Sequence, residues 1–193
     1  MTKKEKLHER TRMPTFVSAG QGYASRVEHP RPKYWLYIAT SDYGQGPFGE
    51  ARYAFAWQLV DGYNNIVRHG DNRLRTCNGD HTKGLIPAVL HGIQGIERCH
   101  VHVISDVKYL CDHLNVGSDK RRLCDYRRTD KKPFADADAL RKLDSQLEAS
   151  AVSISASAPS DEIETAILND LKSISREIAV REDGLSHLSD YWL

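Results

Sequence analysis

One uninterrupted apolar run limits how this chain can fold. Residues 34–39 are all apolar, and the run has the length of an ordinary β-strand. Side chains alternate between the two faces of a sheet, so an apolar strand of this kind needs cover on both faces. We therefore expect residues 34–39 to form a central strand.

Strand and helix patterns follow one another along the rest of the chain. Turn residues at 43–49 lead into an apolar strand at 53–60, and a third strand at 64–69 completes a meander. Helical spacing predicts a helix of about 13 residues from Lys83, with Pro87 in its first turn. A strand at 100–105, helices at 107–114 and 136–149, a strand at 152–156 and a helix from Asp161 follow. This is an α/β (α+β) pattern.

The length of 193 residues suits one domain with terminal extensions. We predict a polar, basic N-terminal extension at 1–32, a domain at 33–180 and a C-terminal tail at 181–193. Four cysteines without a C-x-x-C pair, and an N-terminus without an apolar leader, favour a reduced cytoplasmic setting. No apolar run approaches the roughly 20 residues that cross a bilayer, so no membrane partner is expected.

Positive charge is concentrated in one segment. Over the whole chain, 27 basic residues nearly balance 26 acidic ones, so only local clustering indicates a polyanion partner. Cations that contact phosphates release counterions, which makes a duplex or a single strand the natural partner of such a cluster. The alternative is a solvated face offset by nearby aspartates. The candidate nucleic-acid-binding residues are Lys120, Arg121, Arg122, Arg127, Arg128, Lys131 and Lys132.

A Cys99-His100-Val101-His102 segment contains residue types that bind zinc. On a strand, however, Cys99 and Val101 point to one face while His100 and His102 point to the other. The second interpretation is therefore a row of buried thiols on one face and exposed or hydrogen-bonded imidazoles on the other.

Several motifs, in this order of elements, resemble type 1 ribonuclease H. Residues 81–89 are similar to the family's helix that begins N-R-M-E-L, and residues 102–110 to its strand that ends in S-T-D-S-x-Y. Residues 130–133 match its D-K-K-P, and residues 140–144 are similar to its W-x-x-L-D. The resemblance implies a mixed five-stranded sheet flanked by helices. It also implies a fold that holds a nucleic-acid duplex, often an RNA–DNA hybrid, against a two-metal site.

The resemblance also assigns carboxylates to a Mg²⁺ or Mn²⁺ site. Asp106 matches the family's aspartate at the end of the fourth strand. Asp42 matches the aspartate of the first strand if the following loop is one residue shorter than usual, whereas an alignment anchored on Thr40 puts Ser41 at that position. Asp42 and Asp106 are the expected metal ligands. The helix glutamate falls on Gly84, and the last-helix aspartate falls on Asn169 with Asp170 beside it. The expected catalytic set is therefore reduced to Asp42, Asp106 and Asp170.

Each aspartate also has a structural interpretation, since Asp42 suits a turn and Asp106 suits a helix N-cap. Three functions follow. The first is a catalytically impaired ribonuclease H-like protein that binds nucleic acid. The second is an active metal-dependent nuclease with the reduced set. The third uses the fold as a protein-interaction module, with a partner docked on the C-terminal tail.

Overall fold

The computed structural model describes residues 31–45, 51–76, 84–134 and 136–180. At 42–45, 51–52 and 73–76 the description covers the backbone alone. Most of the predicted N-terminal extension, the loop at 46–50, Lys83 and the predicted tail at 181–193 lie outside the described residues.

The elements follow the predicted order with one addition. A short helix at Ser118–Leu123 lies in the basic segment, where the sequence pattern indicated no regular structure. The first helix also ends earlier than predicted, because Gln94 is extended and Gly95 has a φ of +74°. The elements are β1 (Lys33–Gln45), β2 (Ala51–Asp61), β3 (Ile66–Thr76), α1 (Leu85–Ile93), β4 (His100–Ile104), α2 (Lys108–Val116), α3 (Ser118–Leu123), α4 (Ala137–Ala149), β5 (Ser153–Ser157) and α5 (Glu162–Val180).

The strands form a mixed five-stranded sheet with the order β3-β2-β1-β4-β5. β1 pairs antiparallel with β2, and β2 pairs antiparallel with β3. β1 and β4 are parallel, as are β4 and β5. The predicted mixed sheet and the central position of the first strand are confirmed.

Both faces of β1 are buried, as its apolar run requires. Leu36 and Ile38 belong to a core cluster that includes the buried residues of α1 and α4. On the other face, Tyr37 and Ala39 pack in a second cluster with Leu168 and Leu171 of α5, among others. The sheet therefore has α1 and α4 on one side and α5 on the other.

Helix α2 is fastened to the last strand by one side-chain amide. Asn115 Nδ2 donates to the carbonyl oxygen of Ala156 at 2.8 Å, and the Ala156 amide donates to Asn115 Oδ1 at 2.9 Å. This pair of bonds imitates a β-bridge at the outer side of β5. It fixes α2, and so the connection that leaves β4, relative to the sheet.

Gly92 marks the closest approach of α1 to the sheet. A Cβ at this position would lie 2.6 Å from Leu36 Cδ1, and Leu36 is fully buried. We expect Gly92→Val to lower the free energy of unfolding by about 1–3 kcal/mol, as overpacked cores do. Urea denaturation measures this change. Gly62→Ala is the matched control, because a Cβ there meets nothing within 4 Å, and an equal loss in both variants would contradict the packing argument.

Candidate metal site and nucleic-acid interface

The predicted aspartates lie toward the carboxyl ends of two adjacent parallel strands, Asp42 within β1 and Asp106 two residues after β4. Tyr37 of β1 pairs with Ile104 of β4, and the offset is constant along the ladder. Continued by two residues, this register places Ala39 level with Asp106. Asp42 lies three residues further along β1, roughly 10 Å away at about 3.3 Å per residue. The adjacent parallel strands are confirmed, the continued register brings Ala39 rather than Asp42 level with Asp106, and the Asp42 side chain lies outside the described part of the structure.

The two structural interpretations of these aspartates do not hold. β1 continues to Gln45, so the Asp42 backbone is part of the strand and pairs with Tyr53 rather than forming a turn. Helix α2 begins after Val107, and no side chain caps its first turn. Asp106 is therefore not the N-cap of that helix, and its carboxylate is available for another contact.

That contact is an ion pair with α5. Lys172 Nζ donates to Asp106 Oδ2, and both side chains remain partly open to solvent, 42% and 37% exposed. Asp170 precedes Lys172 by two residues, a rotation of about 200° around the helix axis. The exposed Asp170 therefore points away from Asp106. Sequence analysis missed Lys172, although it directly follows Leu171 in the buried stripe of α5.

The described side chains near Asp106 do not fit a two-metal centre. Two divalent cations that share a hydrolytic site need several carboxylates to hold them. Gly84, the position of the expected helix glutamate, is buried at the start of α1 and has no side chain. Within the described ranges, no group of three or more His, Cys, Asp and Glu side chains is placed to hold a metal ion.

Arg121 is the interior anchor of the basic segment. Its side chain is 1% exposed. Nε donates to Asp144 Oδ2 at 2.9 Å, Nη2 donates to Asp144 Oδ1, and Nη1 donates to the carbonyl oxygen of His113. Arg121 therefore leaves the predicted nucleic-acid-binding set, because its guanidinium cannot reach a phosphate from the core.

Asp144 also accepts a hydrogen bond from Tyr126, and this bond holds the turn at Asp125 and Tyr126 in place. The Tyr126 hydroxyl donates to Asp144 Oδ2 at 3.0 Å. The pKa of Tyr126 is raised, first by burial of the hydroxyl and second by this hydrogen bond. Asp125 and Tyr126 both have positive φ, 51° and 55°. The Arg141 guanidinium lies 4.8 Å from the centroid of the Tyr126 ring. The turn is thus fixed against α4.

The six remaining cations of the segment are exposed. Three arginines are paired with carboxylates: Arg122 with Glu148 at 2.7 Å, Arg127 with Asp125 at 3.2 Å and Arg128 with Asp130 at 3.6 Å. The bond to Glu148 raises the pKa of Arg122. Within the described part of the chain, the other three cations have no ion-pair partner. The uncompensated charge is therefore concentrated on Lys120, Lys131 and Lys132.

The histidines of β4 form a ladder with the serines of β5. His100 contacts Ser153 and Ser155 Oγ, both at 2.9 Å, and His102 contacts Ser155 Oγ at 2.8 Å and Ser157 Oγ at 2.9 Å. The pKa of His100 is lowered, mainly by burial and to a smaller extent by the positive charge of the neighbouring His102 and Lys33. Cys99 is buried on the other face. The hydrogen-bonded imidazoles are confirmed, and one buried thiol, Cys99, lies on the opposite face.

The buried Arg121–Asp144 pair gives a stability test. Asp144→Ala should lower the free energy of unfolding by about 3–5 kcal/mol, because it leaves the Arg121 charge buried without a partner. Urea denaturation is the measurement. The exposed pair is the control: Glu148→Ala, which removes the partner of Arg122, should cost less than about 1 kcal/mol. Arg121→Met combined with Asp144→Leu should regain most of the loss, and a double variant as unstable as Asp144→Ala would contradict the explanation.

No protein-family model matches the sequence, and no curated protein matches it. Solved structures with similar folds do exist. A foamy viral protease-reverse transcriptase in complex with an RNA/DNA hybrid has a TM-score of 0.66 at 14% identity, over 78% of this chain and 20% of that chain. This chain therefore spans about a fifth of that protein's length.

Two smaller proteins match over most of their own length. The solution structure of the PFV RNase H domain has a TM-score of 0.58 at 13% identity, over 77% of this chain and 96% of that domain. LC9-RNase H1, a type 1 RNase H with the type 2 active-site motif, has a TM-score of 0.53 at 17% identity, over 79% of this chain and 75% of that chain. The sheet order, the helix order and these likenesses show that this chain has the ribonuclease H-like fold.

Proposed function

We propose that this protein binds nucleic acid through its ribonuclease H-like fold and is catalytically impaired. The observation that carries the proposal is the ion pair between Asp106 and Lys172. A lysine ammonium stands where the family resemblance expects a metal ion.

The fold supports the choice of nucleic acid as the partner. Two of the similar foamy viral structures are complexes, one with an RNA/DNA hybrid and one with dsDNA. We extend this to the present chain and propose an RNA–DNA hybrid, another duplex or a single strand as its ligand. Six exposed cations of the basic segment form the proposed contact surface: Lys120, Arg122, Arg127, Arg128, Lys131 and Lys132.

Mg²⁺ or Mn²⁺ would serve hydrolysis by activating water and stabilising the leaving oxygen. The alternative function is an active nuclease with the catalytic set Asp42, Asp106 and Asp170, in which Asp42 and Asp106 would hold such an ion. We give it second place because Lys172 already neutralises Asp106 and Asp170 points away from it. Among the described helices, none is long and apolar enough to span a membrane. The cytoplasmic location and the partner-binding tail stay predictions.

A cleavage assay separates the impaired protein from the active nuclease. The unmodified protein should leave a labelled RNA–DNA hybrid uncut with either Mg²⁺ or Mn²⁺, because the charge of two divalent ions is not balanced at this site. Gel analysis of the products over time measures this, with Asp106→Asn as the matched variant. Robust cleavage that Asp106→Asn abolishes would establish the nuclease instead.

The contact surface is tested by the salt dependence of binding. Replacing Lys120, Lys131 and Lys132 together by Gln should reduce the slope of log affinity against log salt by about 0.9 for each lost duplex contact. Fluorescence anisotropy with a labelled duplex provides the affinities. Arg121 stays unchanged, because its replacement would disturb the core.

A control with the same loss of charge uses three cations outside the basic segment. Arg31, Lys33 and Arg98 are exposed, near the start of β1 and before β4. Their joint replacement by Gln should change the slope by much less. If both triple variants lose the same slope, binding depends on net charge and the basic segment is not the contact surface.

A further inference from the structure

The ion pair between Lys172 and Asp106 has a consequence for how nucleic acid is held, if the proposed function is correct. Lys172 reaches from α5 to the end of β4, and its side chain keeps 42% of its surface open to solvent. An ammonium has three hydrogen-bond donors, and Asp106 takes one of them. The remaining donors can serve an anion that approaches this edge of the sheet.

The position of Lys172 is fixed by the core rather than by its own side chain. Leu168 and Leu171, one turn before it and directly beside it, are buried against β1 and β4. The Ser175 hydroxyl donates to the carbonyl oxygen of Lys172 at 3.0 Å, and Ser175 is itself buried. The ammonium is thus carried by a packed helix and oriented by Asp106. A rigid element and a supporting contact of this kind hold a cation in place to contact a phosphate.

We propose that Lys172 takes the place of the divalent metal and contacts a phosphate of the bound nucleic acid, with Asp106 as its positioning residue. One ammonium and one carboxylate balance each other in charge, so the site has no need of a metal ion. A divalent cation that approached Asp106 would also meet the positive charge of Lys172. Binding should therefore be independent of divalent metal.

This arrangement reverses the effect expected for a metal site. If this protein were a metal-dependent nuclease, removing the negative charge of Asp106 would weaken the binding of the metal ion and, with it, the binding of nucleic acid. Here the Asp106 carboxylate repels the phosphate and competes for the ammonium. Asp106→Asn should therefore strengthen binding, because it frees the charge of Lys172 while its side-chain oxygen still accepts a hydrogen bond.

The test measures the dissociation constant of a labelled RNA–DNA hybrid by fluorescence anisotropy, in EDTA and in Mg²⁺ at matched ionic strength. The unmodified protein should bind equally in both. Lys172→Met should weaken binding several-fold and lower the log–log salt slope by about 0.9, the value for one duplex phosphate contact. Asp106→Asn should strengthen binding about two- to fivefold, in EDTA as well as in Mg²⁺, since one repulsive charge is removed near the phosphate.

Lys33→Met is the matched control, because Lys33 is exposed at the opposite end of β1. It should leave the affinity and the slope within error of the unmodified protein. Thermal unfolding of each variant shows whether the fold is retained, and loss of a partly exposed ion pair should change it little.

The outcomes separate this inference from the proposed function. If the hybrid binds but Lys172→Met has the affinity and slope of Lys33→Met, the inference is wrong and the proposed function stands. Binding that appears only with Mg²⁺ and is lost in Asp106→Asn overturns the inference and favours a metal site. If the unmodified protein binds no nucleic acid in either buffer, the proposed function itself fails.

Discussion

The parallel pairing of β1 with β4 is the constraint on which the rest of the structure depends. Its hydrogen bonds fix one register, and a shift of a single residue would turn every side chain of β1 to the opposite face. That register buries Leu36 beneath α1 and Ala39 beneath α5, and, continued by two residues beyond the paired ones, it brings Ala39 level with Asp106. The chemistry at the end of the sheet therefore follows from a backbone alignment rather than from any local motif.

A second constraint gives the basic segment its shape. Asp144 accepts hydrogen bonds from Arg121 and Tyr126 inside the core, and this holds a turn in which two successive residues have positive φ. Removing either Arg121 or Asp144 alone would leave the charge of the other buried without its partner, which is strongly destabilising. One arginine thus positions the segment, while the lysines around it remain free to contact a ligand.

These two constraints lead to one view of function. Among the described residues, the basic segment offers lysines without carboxylate partners, and the end of the sheet offers Lys172 beside one aspartate, Asp106. Both features favour the binding of phosphates over hydrolysis, because hydrolysis by divalent metal needs a concentration of negative charge that the described side chains do not supply. In the proposed function, the ribonuclease H-like fold serves as a scaffold that presents cations along a nucleic acid.

Periodicity and motif spacing were sufficient for the architecture. The apolar run at 34–39 predicted the central strand, and helical spacing predicted α1, α2, α4 and α5, because apolar patterns follow directly from which faces are buried. Short-range patterns carry no information about which strand residue lies beside another distant in sequence. The pairing of Tyr37 with Ile104, the burial of Arg121 and the reach of Lys172 to Asp106 each depend on contacts between residues 23 or more positions apart. Only the packed fold decides such contacts, since a charged side chain has the same local pattern whether it ends in the core, at a site or in solvent.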